Sequence, residues 1–430
     1  MLRDAFTEIR SEGPKSPAAH RSKYTSFHHP GYGDFGDNVL IKLLAPDGKR
    51  GGITREFALD ACAVLACNRF DGYFTEHGST QRVVPSDGII PPGDYDFHVP
   101  GEIEGEPYPV GASFFDWQFP HDAIPDRWQC LPSPGSLSTS NIRNTTAALA
   151  QRDRICRISA YQEMSQEAQV VPEEEEIWFT INGMRRYAAE GPRHGPELLN
   201  NFENMLLLRS DLHMLWSLQS IVFVPKGPKH EMVVHVIQHS EELLDLYHNR
   251  KTQPLFARHE FLFARFAWAL FPFIRSFLYA GRSRTVSVRE EEGYIVRKYS
   301  PAQCAVLAKS HSGRDVLKKR ASLESNSNAA DLPGHSICAA VRGGLEDSSF
   351  RSEDWLTNFE YPANTRLENA QTEESDAAGD RSKGCAKRRR ASSDSSFDPA
   401  QCEHVLETLK RDMNRLERPR GRRPFPPSPE

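Results

Sequence analysis

The chain contains no CxxC pair, although it has eight cysteines: Cys62, Cys67, Cys130, Cys156, Cys304, Cys338, Cys385 and Cys402. That spacing excludes a cysteine-built structural zinc site and reads as free thiols in a reducing compartment. No apolar run follows Met1, so a secretory signal is not expected, and Asp4, Glu8 and Glu12 are at odds with a basic, acid-poor mitochondrial leader. Neither sign of charge dominates. Lys and Arg number 53 against 58 Asp and Glu, a net charge of −5, so the chain as a whole does not advertise a polyanionic partner. Apolar residues are scarce, at 38%, and the mean hydropathy is −0.57. This leaves part of the chain without the means to build a core. The one long hydrophobic run, residues 261–278, is of spanning length. It carries Arg265 and Arg275 and is interrupted by Pro272, so it reads as a buried aromatic helix that ends or kinks at the proline, with no membrane partner.

With 430 residues the chain can hold two or three domains. Residues 1–25 are polar and expected to be loose. Residues 26–131 read as a β-rich domain, with a strand over 38–44 closed by the turn Pro46-Asp47-Gly48. Further Gly and Pro punctuation follows Arg82-Val83-Val84. One helix over 54–68 interrupts it, with Phe57, Ala58, Ala61, Val64 and Leu65 at helical spacing. A linker covers 132–152 and a second domain covers 153–282. Residues 283–430 are rich in Ser, Asp, Glu and Arg, and read as a largely disordered tail. Near the end Cys402, Leu406, Leu409, Met413 and Leu416 make a two-heptad seam, too short to hold on its own and silent on oligomeric state.

The chemistry concentrates in residues 204–226, NMLLLRSDLHMLWSLQSIVFVPK, which read as strand, helix, strand. Ser210 is the expected N-cap, and Asp211 in the first turn suits the helix dipole. Leu212, Leu215 and Trp216 form the apolar face. At roughly 100° per residue, His213 lies about 200° from Asp211, so the two do not share a face and Asp211 reads as a capping residue.

Five segments in order resemble fungal HNH-endonuclease-domain proteins: RICRISAY around Cys156, EAQVVPEEEEIWFTINGMRRY (167–187), NMLLLRSDLHMLW (204–216), VFVPKG (222–227) and ARHEFLFARFAWALF (257–271). The segments YGDFGDNVLIKLL (32–44) and FFDWQFPHD (114–122) resemble the region that precedes HNH in those proteins, so the likeness spans roughly residues 30–280. It implies an HNH-like ββα-metal domain with an appended aromatic helix, which, with the N-terminal β-rich domain and the disordered C-terminal tail read above, makes an α+β chain. It also implies a divalent ion (Mg, Mn or Zn) held by His213 if the site is active, and an asparagine that orients the catalytic loop. Asn204 is the match for that asparagine, with Asn200 and Asn201 as alternatives.

The general base belongs in the family's alanine-histidine-x-x-proline element, which here runs Ala168-Gln169-Val170-Val171-Pro172. Gln169 positions a water but takes no proton from it, and loss of a general base costs on the order of 10²–10⁴ in rate. Trp216-Ser217 stands where the family pattern gives Phe-Asp. Glu167, two residues before Gln169, would share its face on a strand. Glu173, Glu174, Glu175, Glu176 and His194 are reachable only through loops. Three readings follow: an HNH-like nuclease whose metal-dependent phosphodiester hydrolysis is lost or very weak, an active endonuclease with Glu167 as base, and a non-catalytic module that binds nucleic acid or protein. Lys387, Arg388, Arg389 and Arg390, together with the basic prolyl stretch 411–423, are the expected electrostatic contacts to nucleic acid. The basic run also reads as a nuclear localisation signal, with the cytoplasm as the other expectation. Phosphorylation of Ser392, Ser393, Ser395 or Ser396 would weaken that patch.

Overall fold

A computed structural model describes residues 2–4, 23–33, 38–101, 106–129, 145–188, 199–290 and 293–309. The linker centre 132–140, His194, the basic run 387–390, the stretch 411–423, the serines beside it and the heptad seam lie outside the described residues. Strands β1 (Tyr24–His28) and β2 (Val39–Leu44) precede the short β3 (Ile53–Thr54) and helix α1 (Arg55–Leu65). Then come β4 (Tyr73–Glu76), β5 (Ile89–Ile90), β6 (Asp94–His98), β7 (Val110–Gly111) and α2 (Thr145–Asp153). The central stretch is β8 (Ser165–Gln169), α3 (Glu176–Ile181), β9 (Met205–Arg209) and α4 (Ser210–Ser217). After it run β10 (Ile221–Lys226), β11 (Glu231–Val236), α5 (Glu241–Leu246), α6 (His259–Leu270), α7 (Ile274–Tyr279), β12 (Arg284–Glu290), β13 (Gly293–Tyr299) and α8 (Pro301–Ala308).

The fold is α+β. A four-stranded sheet runs β2-β1-β6-β4, and a three-stranded one β13-β12-β7. The remaining pairs are β3-β5, β8-β9 and β10-β11. The described residues fall in one compact unit that extends to Asp331. Strand β7 pairs in parallel with β12 (Val286↔Val110), so the β-rich segment and the segment after it share a sheet. The main buried core runs from Phe27 to Ala308, and a small second cluster joins Leu149 to Met205 and Leu207.

Helix α1 buries Phe57, Ala58, Ala61, Val64 and Leu65, as their spacing predicts. It stops at Leu65 rather than at 68, because Cys67 and Asn68 turn into the left-handed region at φ 56° and 68°. Asn68 is held there by its side chain, which accepts from Trp117 Nε1 and donates to the Gln118 carbonyl, both at 2.7 Å. The run His259–Tyr279 is long and apolar enough to cross a membrane, yet 78% of its most apolar window is buried inside the fold. Pro272 sits in the single 3-10 turn between α6 and α7.

Two segments expected to be loose are folded. Residues 284–299, placed at the head of the tail, form the antiparallel hairpin β12-β13. Helix α8 follows with a full capping box of Ser300 and Gln303. Near the N-terminus, Arg3 makes a β-bridge with Arg250. Its guanidinium donates to the carbonyls of Leu244, Asp245 and His248.

Candidate functional site

Strands β8 and β9 pair antiparallel from Ser165↔Arg209 to Gln169↔Met205. Helix α4 leaves β9 with no intervening loop, which makes a strand–strand–helix unit. The period of two on β8 buries Ala168 and leaves Glu167 and Gln169 only partly buried. Both line a cleft of about 430 Å3, together with Asn200, Met205 and His213. The sequence-predicted Glu167, Gln169 and His213 are therefore brought together.

The three asparagines divide the work. Asn204 is fully buried and does not line the cleft. Its Nδ2 donates to the carbonyls of Val171 and Leu199, both at 2.9 Å, and its Oδ1 accepts from the Val171 N–H at 2.8 Å. It thereby ties the chain leaving β8 to the chain returning to β9, which is a positioning role. Asn201 accepts from the Asn204 N–H at 2.9 Å and caps the 3-10 turn Phe202–Asn204. Asn200 alone reaches the cleft, where its Oδ1 accepts from Gln169 Nε2 at 2.7 Å.

The start of α4 differs from its sequence expectation. Arg209 occupies the cap position without a side-chain cap. Ser210 instead donates through its hydroxyl and its N–H to the Met164 carbonyl. Asp211 turns back into a two-pronged pair with Arg209, both contacts at 2.7 Å, and takes no part in the cleft. Trp216 Nε1 donates to the Gln169 carbonyl at 2.8 Å and pins the helix to β8. His213 is partly buried, and burial followed by the charge of Arg265 lowers its pKa below 6.5, so it is a neutral imidazole at pH 7.

Arg265 was legible in the sequence only as a charge that breaks a hydrophobic run. In the fold it lines the cleft from α6, 1% exposed, between the rings of Trp216 and Trp268 at 4.4 and 4.3 Å. Glu173 and Glu174 also line the cleft and are exposed. Glu175 points inward instead. Its Oε1 accepts from Trp268 Nε1 at 3.1 Å, and burial pushes its carboxyl up to about 8.

The divalent ion implied at His213 does not fit these donors. Among the described residues, one trio of His, Cys, Asp or Glu has ligand atoms all within 4.8 Å of one another, Asp47 with His235 and His248. None of the three lines the cleft. The charge of Arg265 also acts on His213 and opposes a second cation there.

The buried trio is a clamp. Asp47 Oδ1 accepts from Lys226 Nζ (2.8 Å), His248 Nε2 (2.9 Å) and Asn249 Nδ2 (2.7 Å). Its Oδ2 accepts from the Thr54 N–H (2.8 Å) and hydroxyl (2.7 Å) and from Lys226 Nζ (2.9 Å). The Lys226 ammonium already neutralises the carboxylate. His248 Nδ1 accepts from the Val236 N–H at 3.3 Å, which leaves the ring proton on Nε2, the nitrogen a metal would need. His235 stacks on Phe57 at 3.9 Å.

Comparison of the chain with protein-family models, with curated proteins and with solved structures returns no match.

Proposed function

We propose that this protein is an HNH-nuclease-like protein whose metal-dependent hydrolysis of nucleic acid is lost or very weak. One observation carries the reading: Glu167, Gln169 and His213 line a single cleft where the antiparallel pair β8-β9 meets the helix that follows it. A sequence likeness alone does not bring two residues of β8 and one of α4, more than forty positions apart in the chain, to one cleft. The same residues account for the loss of activity. Gln169 offers an amide where the chemistry needs a base with a pKa near neutrality, and among the described residues His213 belongs to no group of three His, Cys, Asp or Glu close enough to hold an ion together.

Supercoiled plasmid offered to the full chain with Mg²⁺, Mn²⁺ or Zn²⁺ is expected to remain supercoiled. Nicking by the wild type that disappears in His213→Ala overturns this reading. Retention of nucleic acid is the companion expectation, with an affinity that falls as salt rises; salt-independent or absent binding removes it. A second reading rests on Glu167, the one carboxylate that shares the β8 face of Gln169 in the cleft. It makes the protein an active endonuclease with Glu167 as general base, and it requires wild-type nicking that Glu167→Gln abolishes.

A further inference from the structure

The cleft contains a buried positive charge, that of Arg265, to which the nuclease-like reading assigns no role. Among the described residues Arg265 hydrogen-bonds only to main-chain carbonyls, those of Val170 at 3.5 Å and of Trp216, and its buried Nε finds no partner there. Among the described residues no carboxylate pairs with it; the charge of Glu174 acts on it only through space. Burial lowers the guanidinium to about 9, so it stays charged at neutral pH. Glu175, behind Trp268, is protonated at that pH and is no counter-ion. A buried charge left without a counter-ion is costly, and an anion entering the cleft would relieve that cost.

The rest of the lining narrows the choice of anion. Side-chain amides of Gln169 and Asn200 and the neutral His213 face the same space as Arg265. Glu167, Glu173 and Glu174 also line it, the last two exposed. Three carboxylates repel a continuous phosphate backbone more than one compact phosphate group. A cleft of about 430 Å3 is on the scale of a small ligand.

We propose that this cleft binds a terminal phosphate group, of a mononucleotide or of a nucleic-acid end, with the Arg265 guanidinium as a built-in cation in the place where a nuclease would hold its metal ion. The inference rests on the nuclease-like reading for its class of ligand, and the two fail separately. If Gln169→His alone nicks plasmid with Mg²⁺, the cleft does accept a metal; the phosphate proposal falls and the nuclease-like ancestry stands.

The test is calorimetric titration of the full chain with inorganic phosphate and with adenosine 5′-monophosphate, in EDTA. Binding is expected to survive EDTA and to weaken about tenfold or more in Arg265→Met, since one charge-assisted contact is lost. It is expected to tighten severalfold in the double variant Glu173→Gln with Glu174→Gln, which removes two repelling charges. Those glutamates are exposed, so the double variant tests the proposal even if Arg265→Met does not fold. A 5′-phosphorylated oligonucleotide should compete and its unphosphorylated counterpart should not. No phosphate binding in the wild type, unchanged or weaker binding in the glutamate variant, or equal competition by both oligonucleotides overturns the proposal.

Discussion

The Asn204 side chain holds both main-chain polar groups of Val171, accepting from its N–H at 2.8 Å and donating to its carbonyl at 2.9 Å. A side-chain amide that pairs with a main-chain amide on both sides behaves like one rung of a sheet ladder. It fixes the exit of β8 where the chain leaves for α3, and so fixes Gln169 two residues earlier.

Asn204→Ala is therefore expected to destabilise the protein by about 2–4 kcal/mol, because three buried main-chain groups lose their partner at once. Asn204→Asp should be no better, since a carboxylate cannot donate to the carbonyls of Val171 and Leu199. Urea unfolding monitored by tryptophan fluorescence reads both; a loss under about 0.5 kcal/mol would mean the contacts are replaced by water.

Removing the charge of Asp47 strands a cation. Asp47→Asn leaves the Lys226 ammonium buried without a carboxylate, and breaking such a pair from one side costs about 3–5 kcal/mol. Asp47→Asn with Lys226→Met should recover part of that loss, as a double-mutant cycle would show. Full additivity of the two losses would rule out the pairing.

Acid should unfold the protein through its buried histidines. Burial, chiefly, lowers His29 to about 3 and His248 to about 4, from 6.5. In both, Nδ1 must keep its lone pair, for the Gly31 N–H at 3.1 Å and the Val236 N–H at 3.3 Å. A histidine whose folded pKa is depressed contributes stability that is complete above 6.5 and is lost as pH falls toward the folded value. Each should give about 1.4 kcal/mol per pH unit between pH 6 and 4. Asp47, held well below the carboxylate range by Lys226 and His248 against the opposing effect of burial, adds its own loss only below about pH 4. Unfolding free energies measured from pH 7 to pH 4 check the slope, and a flat profile would contradict it.

Glu175 acts in the opposite direction. Its folded pKa of about 8 lies above the ordinary glutamate value of 4.5, so its contribution is complete below 4.5 and is lost as pH rises to 8. Glu175→Gln keeps an acceptor for Trp268 Nε1 and removes the ionisation. It should raise the melting temperature at pH 8, by the equivalent of a few kcal/mol, and have little effect at pH 4.5. Equal effects at the two pH values would mean that Glu175 is not buried as described.

Patterns local to the chain were legible in the sequence. The 3.6 period of Phe57, Ala58, Ala61, Val64 and Leu65 gave α1, and the period of two placed Glu167 beside Gln169. The hairpin β12-β13 was missed because RTVSVRE and GYIVRKY alternate with charged residues and abut a polar stretch, so composition outweighed period. The Asp47 clamp was invisible because its partners are remote in sequence and a turn residue is ordinarily solvated. Arg265 was noticed as a charge that marks the run as a buried helix, which it is, but not as part of a cleft. A charge inside an apolar run says that something must face it, but only the fold shows that Trp216, Trp268 and the cleft do.

The distance along the chain between the clamp partners bears on how the protein is made. Asp47 meets Lys226 after 179 residues and His248 after 201, and β7 waits for β12. A ribosome delivering this chain releases the first half well before the groups that neutralise and cover it exist. Contacts this remote form late and slowly. The nascent N-terminal half thus spends much of synthesis with an uncovered strand edge and an Asp47 carboxylate held only by water, and in that interval chaperones and proteases have their best access to it.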